Sequence, residues 1–288
     1  MRQLIIRTIT GVLFVAIILV CFLKPMSMIL LFALATGMTV WEFTGLVNNR
    51  DNVQTNRFIC TVAGVFLFLA VSGFCSDLTP SSVFIPYLLT VIYLFISGLF
   101  THTDDPINDW AYSMMSQMYI ALPFSCLSVL AFRATITGDV TYNMLLPVSV
   151  FIFLWANDTG AYCTGSLIGK HKLFPRVSPA KSWEGSIGGG ILVMIIAALM
   201  SWADESHTFE SLGATETGLT IVEWMGLGLT VVIFGTLGDL VESLFKRKLG
   251  IKDSGSILPG HGGMLDRFDS SLMAIPAAVV YIYTLTVV

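Results

Sequence analysis

The sequence predicts an all-α fold, a polytopic bundle of about nine membrane-spanning helices with its N-terminus in the cytoplasm. Three observations carry this. Of 288 residues, 55% are hydrophobic and only 12% charged, where a soluble domain carries about 25% charged residues. So depleted a surface cannot be kept in water, and the apolar excess must face lipid. The apolar residues fall in runs of about 20, the length that crosses a hydrocarbon core of about 30 Å at 1.5 Å per helical residue. Finally, the positive charges are distributed very unevenly between the two sets of connecting loops.

The runs lie at roughly 4–23, 26–46, 58–74, 83–100, 110–132, 144–167, 185–203, 219–245 and 268–288. A β-barrel strand would alternate apolar and polar residues. The run from Ile191 to Met200 does not alternate, so helices are expected. Met1-Arg2-Gln3-Leu4-Ile5-Ile6-Arg7 resembles the start of a signal peptide. Its apolar run is long, no small-residue cleavage site is clear, and another span follows at once, so it reads as a retained first helix. With an odd number of spans the loops sort into two sets. The N-terminus with loops 47–57, 101–109, 168–184 and 246–267 holds all of the 15 Lys and Arg residues except Lys24 and Arg133. The positive-inside rule places that set in the cytoplasm. Loop 101–109 fits least well, with Asp104, Asp105 and Asp109 and no basic residue. Residues 1–143 therefore read as an N-terminal region of about five spans, and residues 144–288 as a C-terminal catalytic region with cytoplasmic loops 168–184 and 246–267.

The five cysteines show no CxxC or metal-ligand spacing and read as small buried hydrophobes. No repeat, low-complexity tract or soluble appendage is evident, and no nucleic-acid partner is expected. The chemistry must lie within the membrane and on its cytoplasmic face.

The informative stretch begins at Asp239, at the membrane end of the eighth span. A carboxylate there costs about 2.5–3.5 kcal/mol unless it faces the bundle interior or a partner. Glu242 and Lys246 follow at i+3 and i+7, on the same helical face. Alone, these three residues would make an ordinary intramembrane ion pair. Asp266 and Asp269, however, open the ninth span at i, i+3 spacing on the same side. Carboxylates gathered at one depth repel one another unless a cation lies between them. Mg²⁺ takes one or two carboxylates and leaves its other positions to water and phosphate oxygens, so Asp239 and Asp266, with Asp269 near, suggest a hard-metal site. Between the two helices, Lys246, Arg247, Lys248, Lys252 and Arg267 supply positive charge. Gly255, Gly260, Gly262 and Gly263 let backbone N–H groups approach an anion. His261 is placed to donate to a phosphate or to orient the loop, and Asp253 lies in the same segment.

A second polar patch arises where Asn157 and Asp158 interrupt the sixth span near its cytoplasmic end. The loop after it carries Ser178 and Lys181, a hydroxyl and a cation suited to phosphate. Ser182 or Trp183 should lead into the seventh span, with Glu184 in its first turn. Gly185 and Gly189 form a GxxxG, which usually serves helix packing. Glu42, within the second span, either braces the bundle or reaches the site.

These residues resemble a known family. The run Ser243-x-x-Lys246-Arg247, then Lys252-Asp253-x-Gly255, then Pro259-x-His261-Gly262-Gly263-x-x-Asp266-Arg267-x-Asp269 is similar to the signature of phosphatidate cytidylyltransferases, also called CDP-diacylglycerol synthases. The likeness extends to Ser178-Pro179-x-Lys181-x-Trp183-Glu184-Gly185, to Asn157-Asp158 and to the nine-span plan; it is tightest after residue 150. It implies transfer of CMP from CTP to the phosphate of phosphatidate, release of pyrophosphate, and a place in phospholipid biosynthesis in a bacterial inner membrane. It also implies that Asp239 and Asp266 hold Mg²⁺ with Asp269 close by, that the site admits K⁺ as a second ion, and that the protein is a homodimer.

The residues suit that chemistry. The phosphate of phosphatidate is already a nucleophile, so the barrier is its repulsion from an anionic triphosphate. Metal and basic groups neutralise that repulsion, and positioning makes attack on the α-phosphorus effectively intramolecular. Lys246, Arg247, Lys252 and Arg267 are expected as phosphate clamps. Asn157, Asp158, Ser178, Lys181, Asp253, His261, Gly262 and Gly263 are expected as substrate-binding residues. The rivals are a CTP-dependent lipid kinase, a CDP-lipid synthase acting on another lipid, an ion conduit through Asp158, Asp239 and Glu242, and an inactive scaffold. The acids cluster towards the cytoplasmic ends of their spans rather than the bilayer midplane, which argues against a conduit.

Overall fold

The computed structural model describes residues 2–100, 105–134, 138–208, 210–212, 215–255 and 262–287. These residues are mostly helical. In chain order the helices are α1 (Arg2–Phe22), α2 (Pro25–Val47), α3 (Arg57–Cys75), α4 (Ile85–Ser97), α5 (Pro106–Met115), α6 (Leu122–Ala131), α7 (Leu145–Ile168), α8 (Trp183–Glu205), α9 (Ile221–Lys248), α10 (Leu265–Phe268) and α11 (Ser271–Val287). The expected helical class holds, and two short antiparallel hairpins add to it, β1 (Phe132–Ala134) with β2 (Val140–Tyr142) and β3 (Lys172–Phe174) with β4 (Ser178–Ser182). Strands this short carry no periodic signal, so hydrophobic patterning could not reveal them.

Local chemistry sets the helix ends. Pro25 and Pro106 open α2 and α5, where a missing N–H costs nothing. The Asn56 side chain accepts from Ile59 N at 3.1 Å to cap α3, and Asp105 caps α5 in the same way from Asn108 N at 3.1 Å. A π-helical turn, Ser116–Ala121, joins α5 to α6 just ahead of Pro123, whose ring and absent N–H disturb the regular ladder.

Among the described residues, six helical stretches are long and apolar enough to cross a membrane: Pro25–Val47, Arg57–Cys75, Pro106–Ala131, Trp183–Glu205, Ile221–Lys248 and Leu265–Leu285. The apolar parts of α1 and α4 are shorter. Helix α7 is 24 residues long, but Asn157 and Asp158 break its apolar run. Val12, Leu30, Phe58, Ile191 and Val280 remain more than half exposed on these helices. Burial of such surface is worth about 25 cal/mol per Å², so faces of this kind belong in lipid. The chain is an integral membrane protein.

It divides into two compact units, one of residues 1–142 with 249–268, the other of residues 143–248 with 269–288. In the first, the rings of Phe22, Phe32, Phe124 and Phe268 form a fully buried stack. Phe124 meets Phe268 edge-on at 5.0 Å between centroids, which anchors the short α10. In the second, α7 and α8 approach until backbone meets backbone: a Cβ at Gly160 would lie 2.9 Å from Gly189 Cα. The GxxxG of Gly185 and Gly189 serves this contact, as small residues do between membrane helices. Tyr281 Oη donates to Glu223 O at 3.0 Å and ties α11 to α9.

Among the five cysteines, only Cys60 is fully buried and Cys163 is exposed, so the buried-hydrophobe reading holds for the first and not for the last.

Candidate active site

Helix α9 places Asp239, Glu242 and Lys246 on one face, as their spacing predicts. In the same compact unit, Asp269 lies in the turn that leads into α11. One carboxylate oxygen each from Asp239, Glu242 and Asp269 lies within 4.8 Å of the others. Gly238 makes this approach feasible. A Cβ there would stand 2.9 Å from Asp269 O and 3.1 Å from Ser270 O, so any side chain would push the turn away.

Two lysines answer this negative charge. Lys181 Nζ, on β4, contacts Asp239 Oδ2 at 2.5 Å. Lys246 Nζ contacts Glu242 Oε2 at 2.7 Å, one turn along α9. Ser243 Oγ donates to Asp239 Oδ1 at 3.1 Å, and Ser270 N donates to Asp269 Oδ1 at 2.6 Å. Glu242 is fully buried, whereas the Asp239 and Lys181 side chains are each 26% exposed. A substrate can therefore reach that pair. Three carboxylates against two ammonium groups leave an excess of negative charge. All-oxygen donors of this kind suit a hard divalent cation such as Mg²⁺, so the residues fit the group that the family resemblance implies.

The β3–β4 hairpin is what carries Lys181 to α9. Ser182 closes it as the N-cap of α8, its Oγ accepting from Gly185 N at 3.2 Å. Glu184 in the first turn accepts from Lys170 N and His171 N, both at 3.2 Å. The capped start expected for this helix is present, and Glu184 also fastens the loop's return. Beside the hairpin lies a cavity of roughly 340 Å³ lined by Asn157, Asp158, Gly165, Ser166, Lys181 and Thr236. Asn157 is buried, with its Oδ1 unpartnered and its Nδ2 at a long 3.5 Å from Thr236 Oγ1.

The other compact unit holds the second half of the signature. Asp266 Oδ2 accepts from Ser254 N at 2.8 Å and from Gly263 N at 2.9 Å. Gly262 has φ +85°, a conformation that favours glycine. Arg267 Nε is buried without a hydrogen-bond partner, while Lys252 and Asp253 are exposed. Asp266 and Asp269 both lie at the start of the apolar stretch Leu265–Leu285, Asp266 in α10 and Asp269 in the two-residue turn before α11.

Of the expected residues, the structure groups Asn157, Asp158, Ser178, Lys181, Asp239, Lys246, Arg247 and Asp269 in one unit. It groups Lys252, Asp253, Gly262, Gly263, Asp266 and Arg267 in the other. His261 lies outside the described residues. Two features escaped the sequence reading. Glu242 sits beside Asp239 and Asp269, although its i+3 spacing already hinted at it. Ser254 donates its N–H to Asp266 Oδ2 and its hydroxyl to Glu42, and nothing in the sequence marks it.

Comparison with known proteins places this geometry in context. The cytidylyltransferase family matches residues 5–285. The chain is 35% identical to a phosphatidate cytidylyltransferase of Haemophilus influenzae over 260 residues, 85% of this chain and 87% of that protein. It is 33% identical to one of Staphylococcus haemolyticus over 274 residues, 94% of this chain and 96% of that protein.

Proposed function

Because this chain belongs to the cytidylyltransferase family, we propose that it is a phosphatidate cytidylyltransferase, converting CTP and phosphatidate to CDP-diacylglycerol and pyrophosphate. The observation that carries the reading is the pairing of Lys181 with Asp239 beside a cluster of carboxylates, next to an open cavity in an integral membrane protein. Such a site neutralises phosphates and is reached by a lipid.

In this reading the phosphate oxygen of phosphatidate attacks the α-phosphorus of CTP, a new P–O bond forms, and the bond to the β-phosphate oxygen breaks. Asp239 and Asp269, with Glu242 beside them, would hold Mg²⁺, which supplies charge neutralisation and orientation of the triphosphate. Asp266 keeps its metal role on the clustering of carboxylates in the sequence and on the resemblance. Lys181 is held next to Asp239 and can turn its ammonium to a phosphate oxygen when one arrives. Lys246, braced by Glu242, adds a second cation, and Arg247, Lys252 and Arg267 are assigned as further phosphate clamps. Ser178, Asn157, Asp158, Asp253, His261, Gly262 and Gly263 are assigned to substrate binding. No strong general base is required, because the nucleophile is already an anion.

The reading extends to a nine-span topology with the N-terminus and these loops in the cytoplasm of a bacterial cell, supported by the distribution of Lys and Arg. It also extends to K⁺ as a second ion and to a homodimer, both on the resemblance.

The test uses detergent-solubilised protein, phosphatidate and CTP labelled at the α- or γ-phosphate. Label from the α position should appear in the lipid product. Label transferred from the γ position would show a lipid kinase and sink the proposal.

A further inference from the structure

Glu42 is buried, 8% exposed, towards the C-terminal end of the apolar helix α2, and the chemistry above makes no use of it. Such placement costs a carboxylate dearly unless donors meet it. The donors come from residues more than 200 positions away. Met264 N donates to Oε2 at 2.9 Å, Leu265 N donates to Oε1 at 3.1 Å, and Ser254 Oγ donates to Oε1 as well. All the donors are N–H or O–H groups, which suits an acceptor-only carboxylate. The glycines around it are shaped to the same group: a Cβ at Gly255 would lie 2.8 Å from Glu42 Oε2, and one at Gly263 would strike Glu42 outright.

The network continues to Asp266. Ser254, held by Glu42 through its hydroxyl, donates its own N–H to Asp266 Oδ2, and its Oγ accepts from Asp266 N at 3.3 Å. Glu42 thus grips both ends of the glycine-rich segment, Ser254–Gly255 on one side and Gly263–Leu265 on the other.

We infer that Glu42 is a positioning residue that, through Ser254 and the Met264 and Leu265 amides, sets the placement of Ser254 and of residues 263–265 and the orientation of the Asp266 carboxylate. The consequence for turnover rests on the proposed function; the consequence for the loop does not. Among the described residues, the Glu42 carboxylate accepts from Ser254 and from the Met264 and Leu265 amides where α10 begins.

The experiment compares wild type with Glu42→Gln, Glu42→Ala and Ser254→Ala in detergent, by amide hydrogen exchange without substrates and by activity against Mg²⁺ and CTP concentration. Glu42→Ala should speed exchange at residues 263–266 while the amides of α3 keep their protection, and should raise the Mg²⁺ concentration for half-maximal activity about tenfold or more, the scale seen for outer-shell partners. Glu42→Gln should fall between, because its remaining oxygen can serve Ser254 and Leu265 while its amide opposes the Met264 N–H. It also keeps the shape of the side chain, so it answers the question if the alanine variant does not fold. Ser254→Ala should reproduce the Mg²⁺ effect. Unchanged exchange at 263–266 in both Glu42 variants would overturn the inference, as would an equal loss of protection across α2, α3 and the loop. Should wild type make no CDP-diacylglycerol, the function fails, and the exchange arm still decides the role of Glu42.

Discussion

At the scale of single residues, the site is a problem of charge. Asp239 touches Lys181 and accepts from Ser243, and it shares its surroundings with two more carboxylates. Asp239→Asn keeps the shape and removes one negative charge. Metal assistance is worth several kcal/mol of barrier, so turnover should fall on the order of 10³-fold, with the protein still inserted and eluting normally on gel filtration. Normal activity would remove Asp239 from the metal site. Asp266→Asn is expected to be as severe on the same assay. Lys181→Ala should act differently. It deletes one charge-assisted contact, worth about 1.5–3 kcal/mol, so kcat/KM for CTP should drop about 10- to 100-fold, chiefly through KM. A steady-state titration of CTP distinguishes the two patterns. Removal of divalent metal by EDTA should abolish activity in wild type, and added Mg²⁺ should restore it.

At the scale of elements, glycines decide which backbones can meet. Gly238 lets α9 touch the turn at Asp269. Gly238→Ala should therefore separate Asp239 from Asp269 and lower activity at least tenfold at saturating substrate, with a small change in melting temperature. An unaltered kcat would show that the turn yields without consequence. Gly189 faces the Asn157 backbone across the α7–α8 contact. Gly189→Val should cost about 1–3 kcal/mol or more by overpacking, read as a lower thermal midpoint in detergent. The helices themselves were legible from apolar runs, and the Ser182 cap from its position before Glu184. The β3–β4 hairpin was not, since strands of three and five residues are too short to show a period. Its effect is large: it converts a loop lysine into the partner of Asp239.

At the scale of the whole molecule, charge and hydropathy act together. Long exposed apolar faces require lipid, and the Lys and Arg residues concentrate in residues 168–184 and 246–267. If those loops are cytoplasmic, a single cysteine introduced at Gly250 should react with a membrane-impermeant maleimide only in inside-out vesicles, and one at Glu216 only in right-side-out vesicles. The reverse labelling would invert the proposed orientation. The two compact units each carry part of the signature.

By itself the sequence determined the membrane character, the helical class and the positions of most helices. Those properties are set by composition and by spacing along one helix, which are local. Tertiary structure alone decided the partners. That Lys181 faces Asp239, that Glu242 joins Asp239 and Asp269, and that Glu42 holds Ser254, Met264 and Leu265 all depend on residues far apart in the chain. An ion pair or hydrogen bond needs atoms within about 3 Å, and only the folded backbone brings such distant residues that close.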